Sequence, residues 1–120
     1  MNIILNDKYD IESFHFTNNF IVTLSSSLGI KRLNFGDRIA YIKFYEEEIP
    51  DINISSYLDF LGNKIKTSTL IQIEDSSLLK KIEEDTGGFY STNNLNHYII
   101  LAENYVMEIV SFDEVREESI

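Results

Sequence analysis

A chain of 120 residues with 20 acidic and 10 basic residues has a formal net charge of −10, and 43% of its residues are hydrophobic. This length suits one buried core and leaves little room for a second, so we expect a single domain over residues 1–120. The chain has no cysteine, which excludes a disulfide scaffold, a cysteine-ligated zinc site and a cysteine nucleophile.

The excess of negative charge indicates which partners the chain can attract. It repels nucleic acid and anionic membrane surfaces and attracts basic proteins. The first residues lack the basic leader and long apolar segment of a signal peptide. The longest apolar run, residues 98–102, is far shorter than the roughly 20 residues that span a bilayer. We therefore expect a cytoplasmic protein that binds neither nucleic acid nor membrane.

The N-terminal half is rich in short apolar segments. Residues 11–16 and 39–44 have the composition of strands. Residues 20–28 fit a strand, through the apolar alternation that begins at Phe20, and also fit a helix that ends at Gly29. The β-branched residues within this segment favour a strand hairpin.

Two segments have the signals of short helices. Residues 57–61 follow a pair of serines that can cap a helix. Residues 77–85 carry an apolar stripe, have Asp75 or Ser76 as a cap, and are followed by two glycines that end helices well.

The C-terminal half contains three predicted strands, residues 70–74, 97–102 and 105–112. The last two are separated by two residues, which is the length of a tight hairpin turn. The resulting register pairs Ala102 with Tyr105, Ile100 with Met107 and Tyr98 with Ile109, and it places His97, Ile99 and Leu101 opposite Val110, Glu108 and Val106. The first of these faces is apolar and should lie on the core. The sum is an α+β fold, a mostly antiparallel sheet with one or two short helices packed on it.

Catalytic patterns are weak in this chain. His15 and His97 each lie in a predicted strand, and no metal-binding histidine spacing occurs. His97 and Glu108 share one hairpin face and lie one residue pair apart, so they can interact diagonally. Carboxylates occur in runs beside turns, where they are normally solvated. We expect no enzymatic activity, no metal and no cofactor.

Acidic clusters beside aromatic residues have the composition of a protein interface, because aromatic rings fill pockets and carboxylates guide and pair basic groups. The predicted partner-binding residues are Tyr45, Glu46, Glu47, Glu48, Asp51, Tyr57 and Asp59, and then Asp113, Glu114, Glu117 and Glu118.

The segment from Leu95 to Leu101, followed by Val106 to Val110, resembles a hairpin pattern of small bacterial polymorphic-toxin immunity proteins, including those of contact-dependent growth inhibition systems. The resemblance covers about the last third of the chain. It implies a cytoplasmic protein that binds a toxin domain and blocks it. Such toxins are often basic nucleases, which agrees with the negative charge of this chain.

Two alternatives remain open at this point. The stretch from Leu28 to Gly36 resembles the helix-then-strand opening of acidic secretion chaperones, which carry an effector segment. A small hydrolase that uses carboxylates or His97 would need a cleft holding a strongly perturbed carboxylate.

Overall fold

The helix and several of the strands follow from the burial of periodic or alternating apolar residues, whereas the other strands depend on pairing with a neighbouring strand. The computed structural model describes residues 2–45 and 67–119. Within them the elements are β1 (Asn2–Leu5), β2 (Asp10–Phe16), β3 (Phe20–Ser26), β4 (Gly29–Asn34), β5 (Ile39–Tyr45), β6 (Leu70–Ile73), α1 (Ser77–Asp85), a 3₁₀ turn (Thr92–Asn94), β7 (Asn96–Leu101), β8 (Val106–Ser111) and β9 (Arg116–Ser119).

The strands form two antiparallel sheets, one in the order β1-β6-β7-β8-β5 and the other in the order β2-β3-β4-β9. Their facing sides bury one core, in which Phe35 of the second layer meets Tyr98 of the first with ring centroids 5.5 Å apart. In β3, Val22 and Leu24 point into this core and alternate with less buried residues, as a half-buried strand requires.

Helix α1 packs on the outer face of the five-stranded sheet, where Leu79 contacts Leu95 and Val110. The helix ends in a Schellman motif. Gly87 N–H donates to Glu84 O at 3.1 Å, and Gly88 N–H donates to Glu83 O at 2.8 Å. Both glycines have positive φ, which explains why glycine occupies these positions.

Much of the predicted structure is confirmed. The chain folds mainly as antiparallel sheet with a short helix on it, and that helix has the predicted bounds, 77–85. The hairpin has the predicted register, with Ile100 opposite Met107 and Tyr98 opposite Ile109. Residues 20–26 form a strand. The predicted helix 57–61 lies outside the described residues, and the strands β1, β4 and β9 were not predicted.

No helix among residues 2–45 and 67–119 is long and apolar enough to cross a membrane.

Candidate protein-interaction surface

Loops 17–19, 35–38 and 112–115 meet at one end of the two sheets. Phe20 N–H donates to Gly36 O at 2.8 Å, and Phe112 N–H donates to Arg38 O at 3.1 Å. The last loop is anchored to the core, because Val115 N–H donates to the buried Tyr98 hydroxyl at 3.0 Å. Asp113 and Glu114, both predicted interface residues, therefore lie on a loop that the core holds in place.

Asp113 lies directly against the backbone of Gly36. A β-carbon at Gly36 would collide with Asp113 Oδ2 and would lie 3.0 Å from both its Cβ and its Cγ. Gly36 also has φ +86°, a conformation that other residues adopt only with strain. The two loops can approach this closely only because residue 36 is glycine.

A ladder of aromatic rings borders the same loops. Phe89 packs edge-on against Tyr90, and Tyr90 packs edge-on against Phe112, each with centroids 5.1 Å apart. The guanidinium of Arg38 lies 4.5 Å from the centroid of Phe112, in cation–π contact. The ladder thus joins loop 86–91 to the loops at the end of the sheets.

These residues enclose an open groove of about 540 Å³, and a smaller concavity adjoins it; we call the two together the end groove. The larger part is lined by Phe16, Asp37, Arg38, Ile39, Phe89, Tyr90 and Phe112. Asp113, Glu114 and Arg116 line the smaller part, which shares Asp37 with the larger one. The charged groups here are three carboxylates and two guanidiniums, so the end of the molecule is mixed in charge with an acidic excess.

The three carboxylates of the end groove, those of Asp37, Asp113 and Glu114, are exposed. None of them takes part in an ion pair with another residue of the described chain. Their charges are therefore available to an incoming basic group.

Tyr45, the first predicted interface residue, ends β5 opposite Val106, at the other end of the sheets. Its side chain is only 9% exposed, and Lys43 Nζ lies 4.9 Å from its ring centroid. Little of this ring is open to a partner. The predicted residues Glu46, Glu47, Glu48, Asp51, Tyr57 and Asp59 lie outside the described residues.

Glu117 and Glu118 belong to β9 and pair with β4. Glu117 forms an ion pair with Lys31, and the hydrogen bond between them raises the pKa of Lys31. Glu118 Oε1 accepts from Asn34 Nδ2 at 3.0 Å. The structure thus separates these two acids, which bind β4, from Asp113 and Glu114, which face the groove.

A hydroxyl, an imidazole and a carboxylate lie in line beneath the surface. Ser76 Oγ is 2.6 Å from His97 Nδ1, and His97 Nε2 is 2.7 Å from Glu108 Oε2. Ser76 Oγ also caps α1 by accepting from Leu79 N–H at 3.1 Å. Because a carboxylate only accepts, His97 Nε2–H donates to Glu108, and in the neutral imidazole Nδ1 then accepts from the Ser76 hydroxyl.

This order of groups is also found in nucleophilic triads, but there the hydroxyl must reach a substrate. Here Ser76, His97 and Glu108 are 4%, 0% and 5% exposed. The network instead ties the start of α1 to β7 and β8. The expected proximity of His97 and Glu108 is confirmed, whereas the participation of Ser76 was not predicted.

Within the described residues, no three His, Cys, Asp or Glu side chains are grouped so that they could hold a metal ion.

Sequence reasoning missed Asp37, Arg38, Phe89 and Tyr90, which together form most of the end groove. One local signal existed for two of them, since an aromatic pair directly follows the glycines that end α1. Asp37 and Arg38 lie about fifty residues earlier, and only the fold brings them to the same place.

Comparisons of the chain with protein-family models, with curated proteins and with solved structures find no match.

Proposed function

We propose that this protein is a cytoplasmic immunity protein that binds a basic, nuclease-type toxin domain and neutralises it. The observation that supports this function best is the end groove, where Asp37, Asp113 and Glu114 keep unpaired charges beside exposed aromatic rings. Aromatic anchors surrounded by charges that pair with the partner are the usual composition of a tight protein interface.

The charge of the chain supports the same function. A net charge of −10 speeds the approach of a basic domain at low salt, because the long-range field of the protein attracts it. At contact, the groove carboxylates pair with lysine or arginine side chains. Arg38 and Arg116 add positive points to the surface, so a partner must match a pattern of charges rather than a uniform one.

The predicted residues Glu46, Glu47, Glu48, Asp51, Tyr57 and Asp59 follow β5 in the sequence and remain a predicted second contact region. Glu117 and Glu118 contribute to the negative field while their side chains bind β4.

The first experiment is purification of the tagged protein from the cells that produce it, followed by identification of any protein present in stoichiometric amount. The proposal expects a basic domain that arrests growth when it is expressed alone and that co-expression of this protein renders harmless. A partner that is harmless by itself, or the absence of any partner, would contradict the immunity function.

A pair of triple variants then tests the site. Asp37→Asn, Asp113→Asn and Glu114→Gln together remove three groove charges while keeping the side-chain shapes. The control, Asp7→Asn, Asp10→Asn and Glu12→Gln, changes the net charge equally on exposed residues just before and at the start of β2, away from the end groove. We expect the groove variant to bind at least about tenfold more weakly than the control, and its affinity to depend less on salt. Equal affinities of the two variants would remove the end groove from the interface.

A further inference from the structure

Phe89 is the most exposed large hydrophobic residue of the described chain. Its side chain is 80% exposed, although the transfer of a phenyl group out of water is strongly favourable. Isolated surface hydrophobics are common and need no explanation. Phe89 differs because its backbone is fixed, its ring continues an aromatic ladder, and that ladder borders a groove with unpaired charges.

The backbone that carries Phe89 is held against α1. Phe89 N–H donates to Thr86 O at 3.1 Å, and Tyr90 N–H donates to Thr86 Oγ1 at 3.2 Å. Thr86 Oγ1 in turn donates to Ile82 O at 2.7 Å. The Schellman motif fixes the residues just before Phe89. A side chain that is already positioned loses little conformational entropy when it binds, so this turn is suited to presenting the ring.

One edge of the ring is supported from within the protein. Tyr90 packs against Phe89 with the two ring planes at 62°, and Phe112 packs behind Tyr90 at 76°. The Phe89 ring therefore rests on the rings of Tyr90 and Phe112, and most of its surface is exposed to solvent. An anchor surrounded by contacts that exclude water is the arrangement found at interface hot spots.

We propose that Phe89 is the anchor of the interface and enters an apolar pocket on a basic protein, whose lysine or arginine side chains around that pocket meet Asp37, Asp113 and Glu114. This inference rests on the proposed function and names the residue that contributes most to the affinity. Charge selects the partner, because a second copy of this chain would also bring a net charge of −10 and the same carboxylates to the contact.

The test compares Phe89→Ala with Leu28→Ala, using the basic protein that co-purifies with the wild-type chain. Leu28 is 68% exposed and lies in the β3–β4 turn, at the opposite end of the four-stranded sheet. Both variants shorten an exposed apolar side chain, so both should fold with the thermal stability of the wild type. We expect Phe89→Ala to weaken binding at least thirtyfold, on the order of a hot-spot truncation, and Leu28→Ala to change it less than about twofold.

A photoreactive p-benzoylphenylalanine placed at position 89 or at position 28 gives a second readout in the producing cells. The inference expects crosslinks from position 89 alone, mapped to an apolar pocket with basic residues around it.

Unchanged affinity of Phe89→Ala, together with weak binding by the groove-charge variant, would overturn the anchor and leave the proposed function standing. A failure of the wild-type chain to bind any basic protein would overturn both. A homodimer in sedimentation that Phe89→Ala dissociates would assign the ring to a second copy and also overturn the inference.

Discussion

His97 Nε2 lies 2.7 Å from Glu108 Oε2, and neither side chain has appreciable contact with solvent. The two residues belong to neighbouring strands and lie one residue pair apart, since Glu108 is directly opposite Ile99. A buried carboxylate with no partner is costly, whereas a pair of apolar residues in the same space is often tolerated. The effects of mutating the two residues on the free energy of unfolding should therefore be coupled rather than additive.

A double-mutant cycle tests this coupling. His97→Leu leaves the Glu108 carboxylate buried without its donor and should lower the free energy of unfolding by about 3–5 kcal/mol. The double variant His97→Leu with Glu108→Leu should lose clearly less than the sum of the single losses. Urea unfolding of the four proteins gives the coupling energy. Additive losses would mean that the two side chains do not depend on each other.

Ser76 should matter both as a helix cap and as the hydrogen-bond partner of His97 Nδ1. Ser76→Ala removes the acceptor for Leu79 N–H and should cost about 1–2 kcal/mol of stability. Ser91→Ala is the matched control, because Ser91 Oγ caps only the 3₁₀ turn, in a longer 3.3 Å bond with Asn93 N–H, and its loss should cost less. Hydrogen exchange at the Leu79 amide should accelerate in Ser76→Ala alone. Equal losses in the two variants would show that Ser76 has no special role.

The C-terminal hairpin and α1 could be predicted because their signals are local. Alternating apolar residues on both sides of a two-residue turn fix a register, since a slip by one residue would turn the core face toward water. The helix has a serine cap before it and two glycines after it. Such signals fit within one short segment, so the sequence alone is sufficient to find them.

The strands β4 and β9 were missed because their stability comes from pairing rather than from their own composition. Strand β4 contains Lys31 and Arg32, and β9 contains Glu117 and Glu118, which give neither strand an apolar alternation. Only the antiparallel register places Arg32 opposite Glu118 and brings Lys31 diagonally next to Glu117. Opposite charges across neighbouring strands stabilise the pair, but no single segment shows this.

The end groove was predicted only in part for a related reason. Asp113 and Glu114 were found through their position beside Phe112, whereas Asp37 and Phe89 reach the same groove from distant loops. Loops of this kind carry no periodic pattern, so their meeting depends on the tertiary fold.

Tyr98 should make stability depend on pH in the alkaline range. Burial raises the pKa of its hydroxyl, which accepts from Val115 N–H. As the pH rises, the unfolded chain therefore loses the Tyr98 proton before the folded chain does. The contribution of the protonated hydroxyl to the free energy of unfolding is complete below about pH 10 and is lost as the pH rises through the pKa of the folded state. Tyr98→Phe should be less stable at neutral pH by about 1–3 kcal/mol, since Val115 N–H loses its acceptor. Its difference from the wild type should shrink above pH 10 in urea unfolding, and a difference that does not change with pH would contradict this assignment.

Gly36 and Gly88 allow the contact with Asp113 to be separated from the effect of backbone conformation. Their φ angles are nearly equal, +86° and +84°, but a β-carbon meets Asp113 only at Gly36 and meets nothing within 4 Å at Gly88. Gly88→Ala should therefore cost only the conformational term of about 1–2 kcal/mol, while Gly36→Ala should cost more. Urea unfolding of both variants measures the difference. In the background Asp113→Gly, which removes the opposing side chain, the cost of Gly36→Ala should fall to that of Gly88→Ala. If Gly36→Ala and Gly88→Ala were equally costly in the wild-type background, the close approach of the two loops would not contribute to stability.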